Sequence, residues 1–232
     1  FGLTMFGIAA MDTALWDAIA RTVGVPCWQM WGRCNDRIRA YAMVGWLNYD
    51  DGEVSEICRR AVGQGFRAVK IKVGYPTLKE DAARVELVRK AVGDDVVLMA
   101  DANCALDLNQ SLNFAKELDT FGVYWFEEPM PIHRYREHGV LKENSKVKIA
   151  TGENGYHFAH FETLLDHQGA DILNVDVAIC PGYDIAKDIT DLAKEKGVSI
   201  APHGCQELQL PLAAGIPHGE FLEYYPVAVD PL

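Results

Sequence analysis

The chain reads as an α/β protein, a single (β/α)-barrel of the TIM type, and three observations carry that reading. Eight short runs rich in β-branched and aromatic residues alternate with helical patterns, one pair every ~20–30 residues, which implies parallel strands joined by helical crossovers. Strand after strand ends in a carboxylate, an amide, a lysine or a histidine, and barrels of this kind carry their chemistry at the C-terminal ends of the strands. No G-x-G-x-x-G follows a strand and no G-x-x-x-x-G-K-[ST] occurs, so an open nucleotide-binding sheet lacks its usual sequence support. With 232 residues, 49% of them apolar, the chain can bury the core of one such domain.

Taken in order, Ile8, Met11, Leu15, Ile19 and Val23 recur at helical steps, and Gly24 and Pro26 close that helix. Leu15 and Trp16 are expected in its core face. The strands are expected at 38–44, 68–73, 96–100, 123–126, 147–150, 172–177, 199–201 and 221–224. Helical patterns fill 52–64, 78–92, 109–121, 158–168 and 183–196 between them. The second strand is the most informative. Val69, Ile71 and Val73 alternate with Lys70 and Lys72, so both lysines share one face.

Composition narrows the partners. A net charge of -11 argues against nucleic acid and against an anionic membrane surface. No unbroken apolar run approaches the ~18 residues of a membrane span. The six cysteines form no C-x-x-C pair and no signal peptide is visible, which together predict reduced thiols and a cytoplasmic protein. The chain opens at Phe1 without an initiator Met and reads as a segment of a longer protein.

The strand ends supply Lys70 and Lys72, Asp101 and Asn103, Glu127 and Glu128, Glu153, Asp176, His203 and Glu223. Each alone has an ordinary explanation as a cap, a turn or a polar strand end. Gathered at one rim they do not, because like charges repel unless something of opposite sign lies between them. Three carboxylates on neighbouring strands suit a hard divalent cation such as Mg²⁺, and Asp101, Glu127 and Glu153 are spaced 26 and 26 residues apart, one strand–helix unit each. Zinc is disfavoured, since no Cys/His cluster has ligand spacing. Two adjacent lysine ammonium groups disfavour each other, so one is expected to be neutral and to act as a base. Asp176 beside His203 would form a second acid–base unit on the opposite wall.

These motifs resemble the enolase superfamily, and within it the mandelate racemase subgroup. The resemblance is carried by Gly65-Phe-Arg-Ala-Val-Lys-Ile-Lys-Val-Gly-Tyr-Pro76, Asp101-Ala-Asn103, Trp125-Phe-Glu-Glu-Pro129, Gly152-Glu-Asn154, Asp176, His203, Gln206-Glu207 and Leu222-Glu223. It implies a (β/α)7β barrel over residues 34–232. Residues 1–33 would be the end of an N-terminal capping region and its link to the barrel, with most of the capping α+β domain missing from this chain. It further implies Mg²⁺ on Asp101, Glu127 and Glu153. Lys72 would be the base on one face, Lys70 would hold the substrate carboxylate, and His203 with Asp176 would be the acid–base on the other face. Glu223 would hydrogen-bond the enediolate, and Asn103 would sit near the α-hydroxyl. The partner implied is a small-molecule carboxylate, with homo-oligomerisation expected from the family.

The reaction so implied is removal of the proton α to a carboxylate. Dehydration of a sugar acid or hydroxy-diacid to a 2-keto-3-deoxy acid is favoured over racemisation or epimerisation of a 2-hydroxy acid. The turn after the first strand, Val44-Gly45-Trp46-Leu47, is longer than in the mandelate enzyme and argues against mandelate itself. A Schiff-base aldolase using Lys70 or Lys72, and a non-catalytic barrel, are the remaining readings.

Overall fold

The computed structural model describes residues 2–32 and 35–229. The expected boundary at 33/34 and the chain's last three residues lie outside them. Among the described residues eight strands form one parallel sheet in the order β7-β6-β5-β4-β3-β2-β1-β8. They are β1 (Ala40–Met43), β2 (Ala68–Lys72), β3 (Val97–Asp101), β4 (Val123–Glu127), β5 (Lys148–Thr151), β6 (Ile172–Leu173), β7 (Ser199–Ile200) and β8 (Leu222–Tyr224). A single parallel bridge between Ile200 and Gly219 joins the two ends of the sheet and closes the barrel.

The helices are α1 (Leu3–Val23), α2 (Cys27–Met30), α3 (Asp51–Gly63), α4 (Leu78–Val92), α5 (Leu108–Thr120), α6 (Tyr135–Glu143), α7 (Phe158–Asp166), α8 (Gly182–Glu195) and α9 (Gln206–Gly215). Three of them open on reciprocal capping boxes: Asp50 with Glu53, Thr77 with Glu80, and Asp107 with Gln110. These supply the orphan amides of the first turn, which is why α3, α4 and α5 were the most legible. By contrast α6 and α9 have no side-chain cap, and α9 carries Pro211 in its interior. The sequence pattern did not reveal either.

Apolar side chains form two shells. Tyr41, Met43, Ala68, Met99, Trp125, Ala150, Ile172, Ala201 and Phe221 come from or adjoin all eight strands and fill the barrel interior. The outward strand faces pack against the helices, around Val69, Ile71, Leu98 and Phe126 on one side and Leu173, Val175, Ile189 and Leu212 on the other. The inner shell positions the site, because side chains alternate along a strand.

The N-terminal helix departs from expectation. It begins at Leu3 rather than Ile8, and Leu15 is 60% exposed rather than core. Leu3, Met11, Ile19 and Val23 share that exposure. The stripe read as a core face therefore points away from the barrel, while the polar residues make the attachment. Asp12 accepts a hydrogen bond from the Tyr183 amide at 2.5 Å, capping α8 from outside, and Trp16 Nε1 donates to Asp184 at 3.0 Å. Trp31 packs between Trp16 and Tyr183, at 5.3 and 4.9 Å between ring centroids. At 21 residues α1 is also long and apolar enough, by length and composition, to cross a bilayer. Counting unbroken apolar runs misses this, because Asp12, Asp17 and Arg21 interrupt the helix.

The approach of α1 to α8 depends on Gly182. Its φ is 86°, and a Cβ there would lie 2.2 Å from the Asp12 carboxylate. Gly182→Ala is expected to cost about 2–4 kcal/mol from left-handed strain and collision, lowering the melting temperature by roughly 5–15 °C. An unchanged melting curve in differential scanning calorimetry would contradict this docking.

Candidate active site

Most strands that contribute to the site do so two or four residues beyond their interior apolar residue; β5 departs from this, with Glu153 three residues beyond Ala150 in the turn that follows the strand. Ala68 is followed by Lys70 and Lys72, Met99 by Asp101, and Trp125 by Glu127. In the same way Ala201 precedes His203, Phe221 precedes Glu223, and Ile172 precedes Asp176 with Asn174 between. With a period of two, an apolar layer in mid-barrel forces a polar layer at the mouth. All ten strand-end residues singled out from the sequence lie at or beside this mouth.

Asp101, Glu127 and Glu153 each place a carboxylate oxygen within 4.8 Å of the others, and all three are buried. Lys70 reaches into the cluster at 2.5 Å from Glu127, 2.8 Å from Glu223 and 3.8 Å from Asp101. Lys72 pairs with Asp101 at 2.5 Å. On the other side the His203 Nδ1 lies 3.0 Å from Asp176, leaving its Nε2 3.4 Å from Glu153 and 3.8 Å from Glu223. Lys72 thus meets the acidic cluster at Asp101 and His203 meets it at Glu153. Asn103 turns its amide toward Glu153 at 3.5 Å, and its backbone amide donates to Asp101 at 2.9 Å.

The electrostatics follow from burial and sign. Burial, together with repulsion from Asp101, Glu223 and Glu153, outweighs Lys70 and pushes the Glu127 carboxyl up to about 8. Burial and the charges of Asp101 and Glu128 likewise push Glu153 up to about 7 against the pull of His203. For Glu223 the balance reverses: burial opposes ionisation, but Lys70, His203 and the Gly204 amide bring it down to about 2. Burial also works against a charged His203, yet its bond to Asp176 and the nearby Glu223 and Glu153 raise it to about 9.

Acids surround Lys70. Burial disfavours its ammonium, but Glu127, Glu223 and Asp101 overcome that and hold it well above the ordinary lysine value. Glu223 accepts the Gly204 amide at 2.8 Å and pairs with Lys70 at 2.8 Å.

The acidic cluster fits a divalent cation on its own chemistry. Its donors are all carboxylate oxygens, two of its members resist ionisation, and Glu153 Oε2 is buried without a hydrogen-bond donor.

Sequence reasoning gave Glu128 no role. It is fully buried and accepts from Thr151 Oγ1 at 2.5 Å, the Gly152 amide at 2.9 Å, Asn154 Nδ2 at 3.1 Å and the Cys104 thiol at 2.9 Å. It therefore ties together the ends of β3, β4 and β5, where the three clustered acids lie. Asn103, Cys104 and Glu128 all hold positive φ, at 41°, 64° and 41°. Three left-handed non-glycine residues in one place mark a locally strained loop that the surrounding bonds maintain. A cavity of about 490 Å³ at the opposite end of the barrel, lined by Arg39, Arg67 and Phe221 among others, includes none of the residues at the mouth.

A parallel TIM-type barrel with a buried acidic cluster between a lysine and a histidine at its C-terminal mouth is the class that fold and site define. Residues 53–230 match the model of the Enolase C-terminal domain-like family, and the chain belongs to that family. Its relatives are mandelate racemase/muconate lactonizing enzyme-like members of the enolase superfamily. It is 31% identical over 225 residues to the L-talarate/galactarate dehydratase of Salmonella typhimurium, covering 97% of this chain and 56% of that protein. Among solved structures it resembles the L-talarate dehydratase of Polaromonas sp. JS666 complexed with Mg and L-glucarate (TM-score 0.93, 32% identity, 100% of this chain and 65% of that one). It also resembles a racemase from Streptomyces coelicolor A3(2) with bound magnesium (TM-score 0.92, 29% identity, 95% and 66%). The chain spans about half the length of the curated relatives it matches.

Crowding predicts a diagnostic pattern for Glu153→Gln. Without divalent cations the variant should be at least as stable as the parent, since one of three repelling acids is gone. In Mg²⁺ at ~100 times Kd the parent should gain about 2.7 kcal/mol, or roughly 5–10 °C, and the variant should gain much less. Equal thermal shifts in both would place the cation elsewhere.

Proposed function

We propose that this protein abstracts the proton α to a carboxylate with the help of Mg²⁺, and that the reaction is dehydration of a sugar acid or hydroxy-diacid to a 2-keto-3-deoxy acid. The observation that carries it is the meeting of Asp101, Glu127 and Glu153 in one buried cluster, approached by Lys72 from one side and His203 from the other.

Asp101, Glu127 and Glu153 would hold Mg²⁺, which when bound supplies positive charge to a substrate carboxylate. Lys72 is the base that takes the α-proton on its face. Lys70 donates to the oxygen on which negative charge develops, and it can do so without reorganising, because Glu127 and Glu223 already orient it. Glu223 acts through Lys70 and His203 rather than as a donor. Asn103 meets the α-hydroxyl. His203, its Nδ1 held by Asp176, turns Nε2 toward the acidic cluster, where it protonates a departing β-hydroxyl. Loss of that hydroxyl leaves an enol that tautomerises to the keto acid.

Similarity to the two talarate dehydratases favours dehydration. The racemase likeness sustains the alternative, in which the same residues return a proton from the opposite face. The surroundings of Lys70 argue against an aldolase, since a triply paired, strongly charged ammonium is a poor Schiff-base nucleophile.

Incubation of the protein with a panel of six-carbon aldarates and aldonates in Mg²⁺ should give an α-keto acid, detected as its semicarbazone, with EDTA abolishing the signal. Lys72→Met and His203→Asn should each lower turnover by about 10²–10⁴-fold. Exchange of the α-proton with deuterated solvent and no keto product would replace dehydration with racemisation.

A further inference from the structure

The buried face of α9 is apolar except at Gln209, which lies with Leu212 and Ala213 and is itself fully buried. A primary amide in such a place is costly unless its hydrogen-bonding capacity is used. Both ends of this one are used. Nε2 donates to Asp176 Oδ1 at 2.7 Å, and Oε1 accepts the Val177 amide at 3.4 Å. The same Oδ1 accepts the Ala178 amide at 2.8 Å, and the other oxygen, Oδ2, lies 3.0 Å from His203 Nδ1. Asp176 is thereby held from three directions, and its plane is fixed. Gly204 follows His203 because a Cβ there would come within 2.6 Å of Asp176 Oδ2. The Tyr183 hydroxyl donates to the carbonyl of Leu208 at 2.7 Å, tying the turn that carries Gln209 to α8.

We propose that Gln209 is a positioning residue for His203, acting through Asp176 as the third member of a Gln209–Asp176–His203 relay of hydrogen bonds. An aspartate held only by the Ala178 amide and the imidazole could swing about its Cα–Cβ bond and carry the ring with it. The Gln209 amide removes that freedom, so that Nε2 stays directed at the acidic cluster. Glutamine suits this task because it gives a donor of fixed geometry and adds no charge beside Asp176 and Glu153. Leucine would fill the same volume on α9 but would leave the Val177 amide and one face of Asp176 without a partner.

This inference rests on the functional reading above, and the test separates the two. The protein, in Mg²⁺ and deuterated solvent, is given pairs of sugar acids epimeric at C2. The Lys72→Met and His203→Asn variants first assign which epimer loses its proton to which base. Gln209→Leu should then lower kcat for the steps that use His203, keto-acid formation and any exchange on the His203 face, by about 10- to 100-fold, with KM within about threefold and exchange on the Lys72 face unaltered. In an Asp176→Asn background the same substitution should add less than about a twofold loss, because the group it acts through is already gone. Equal losses on both faces, or losses that multiply in the double variant, would show a general structural role and overturn the proposal. Should Gln209→Leu fail to fold, Gln209→Met, unbranched and of similar length, carries the same expectation. Mg²⁺ affinity by calorimetry should match the parent in either variant. If the unaltered protein exchanges no α-proton with any acid, the functional reading itself fails and this one falls with it.

Discussion

The structure depends on a balance of buried charge. Asp101, Glu127, Glu153 and Glu223 lie together at the barrel mouth with Lys70 among them and with Lys72 and His203 at the margins. Isolated charges cannot persist in such a place, so each survives through its neighbours. The outcome differs from group to group with the balance of cations, donors and acids near it. Lys70, His203 and the Gly204 amide hold Glu223 ionised, whereas at Glu127 and Glu153 burial and neighbouring acids outweigh the cations and both resist ionisation. Replacing such a site by apolar packing would be neutral or favourable for folding. Its cost is therefore a mark of function, and the acids that resist ionisation are those a divalent cation would relieve.

The barrel makes this charge cluster possible by geometry. A closed parallel sheet points alternate residues of every strand toward one axis, so a layer of Trp125, Met99, Phe221 and Tyr41 below dictates a polar layer above. The aromatic rings in that lower layer pack edge to face, with Trp125 5.3 Å from Tyr41 and 5.8 Å from Phe221. They exclude water beneath Lys70 and so strengthen the interactions above them. Around the cluster, further hydrogen bonds fix what the strands alone do not. Glu128 ties the loops after β3 and β5 to the end of β4, and Asp176 holds the histidine.

Much of this was legible in the chain. The eight strands were readable because β-branched runs alternate with polar residues and end in turn-formers, and α3, α4 and α5 because their capping boxes are local chemistry. The acidic triad was readable because one strand–helix unit recurs between its members, so equal spacing translated directly into equal placement. The stripe on α1 misled for an equally physical reason. Periodicity says that a helix has an apolar face, but it cannot say which way that face points, and here Asp12 and Trp16 fix α1 on α8 by its other side.

The sequence by itself determined the strand and helix order, the period-two placement of Lys70 and Lys72, and which residues end each strand, since these depend on backbone geometry within one element. Only the tertiary structure decided the state of those groups. Lys70 could be read as one of two repelling cations until three acids from other strands were seen around it. Gln209 had no signal at all, because a hydrogen bond between a helix and a distant strand end leaves no periodicity in either, and Glu128 was visible only as a strand-end acid without its partners. Charge and hydrogen bonding act through space over a few ångströms, and the chain brings those partners together only when the barrel closes.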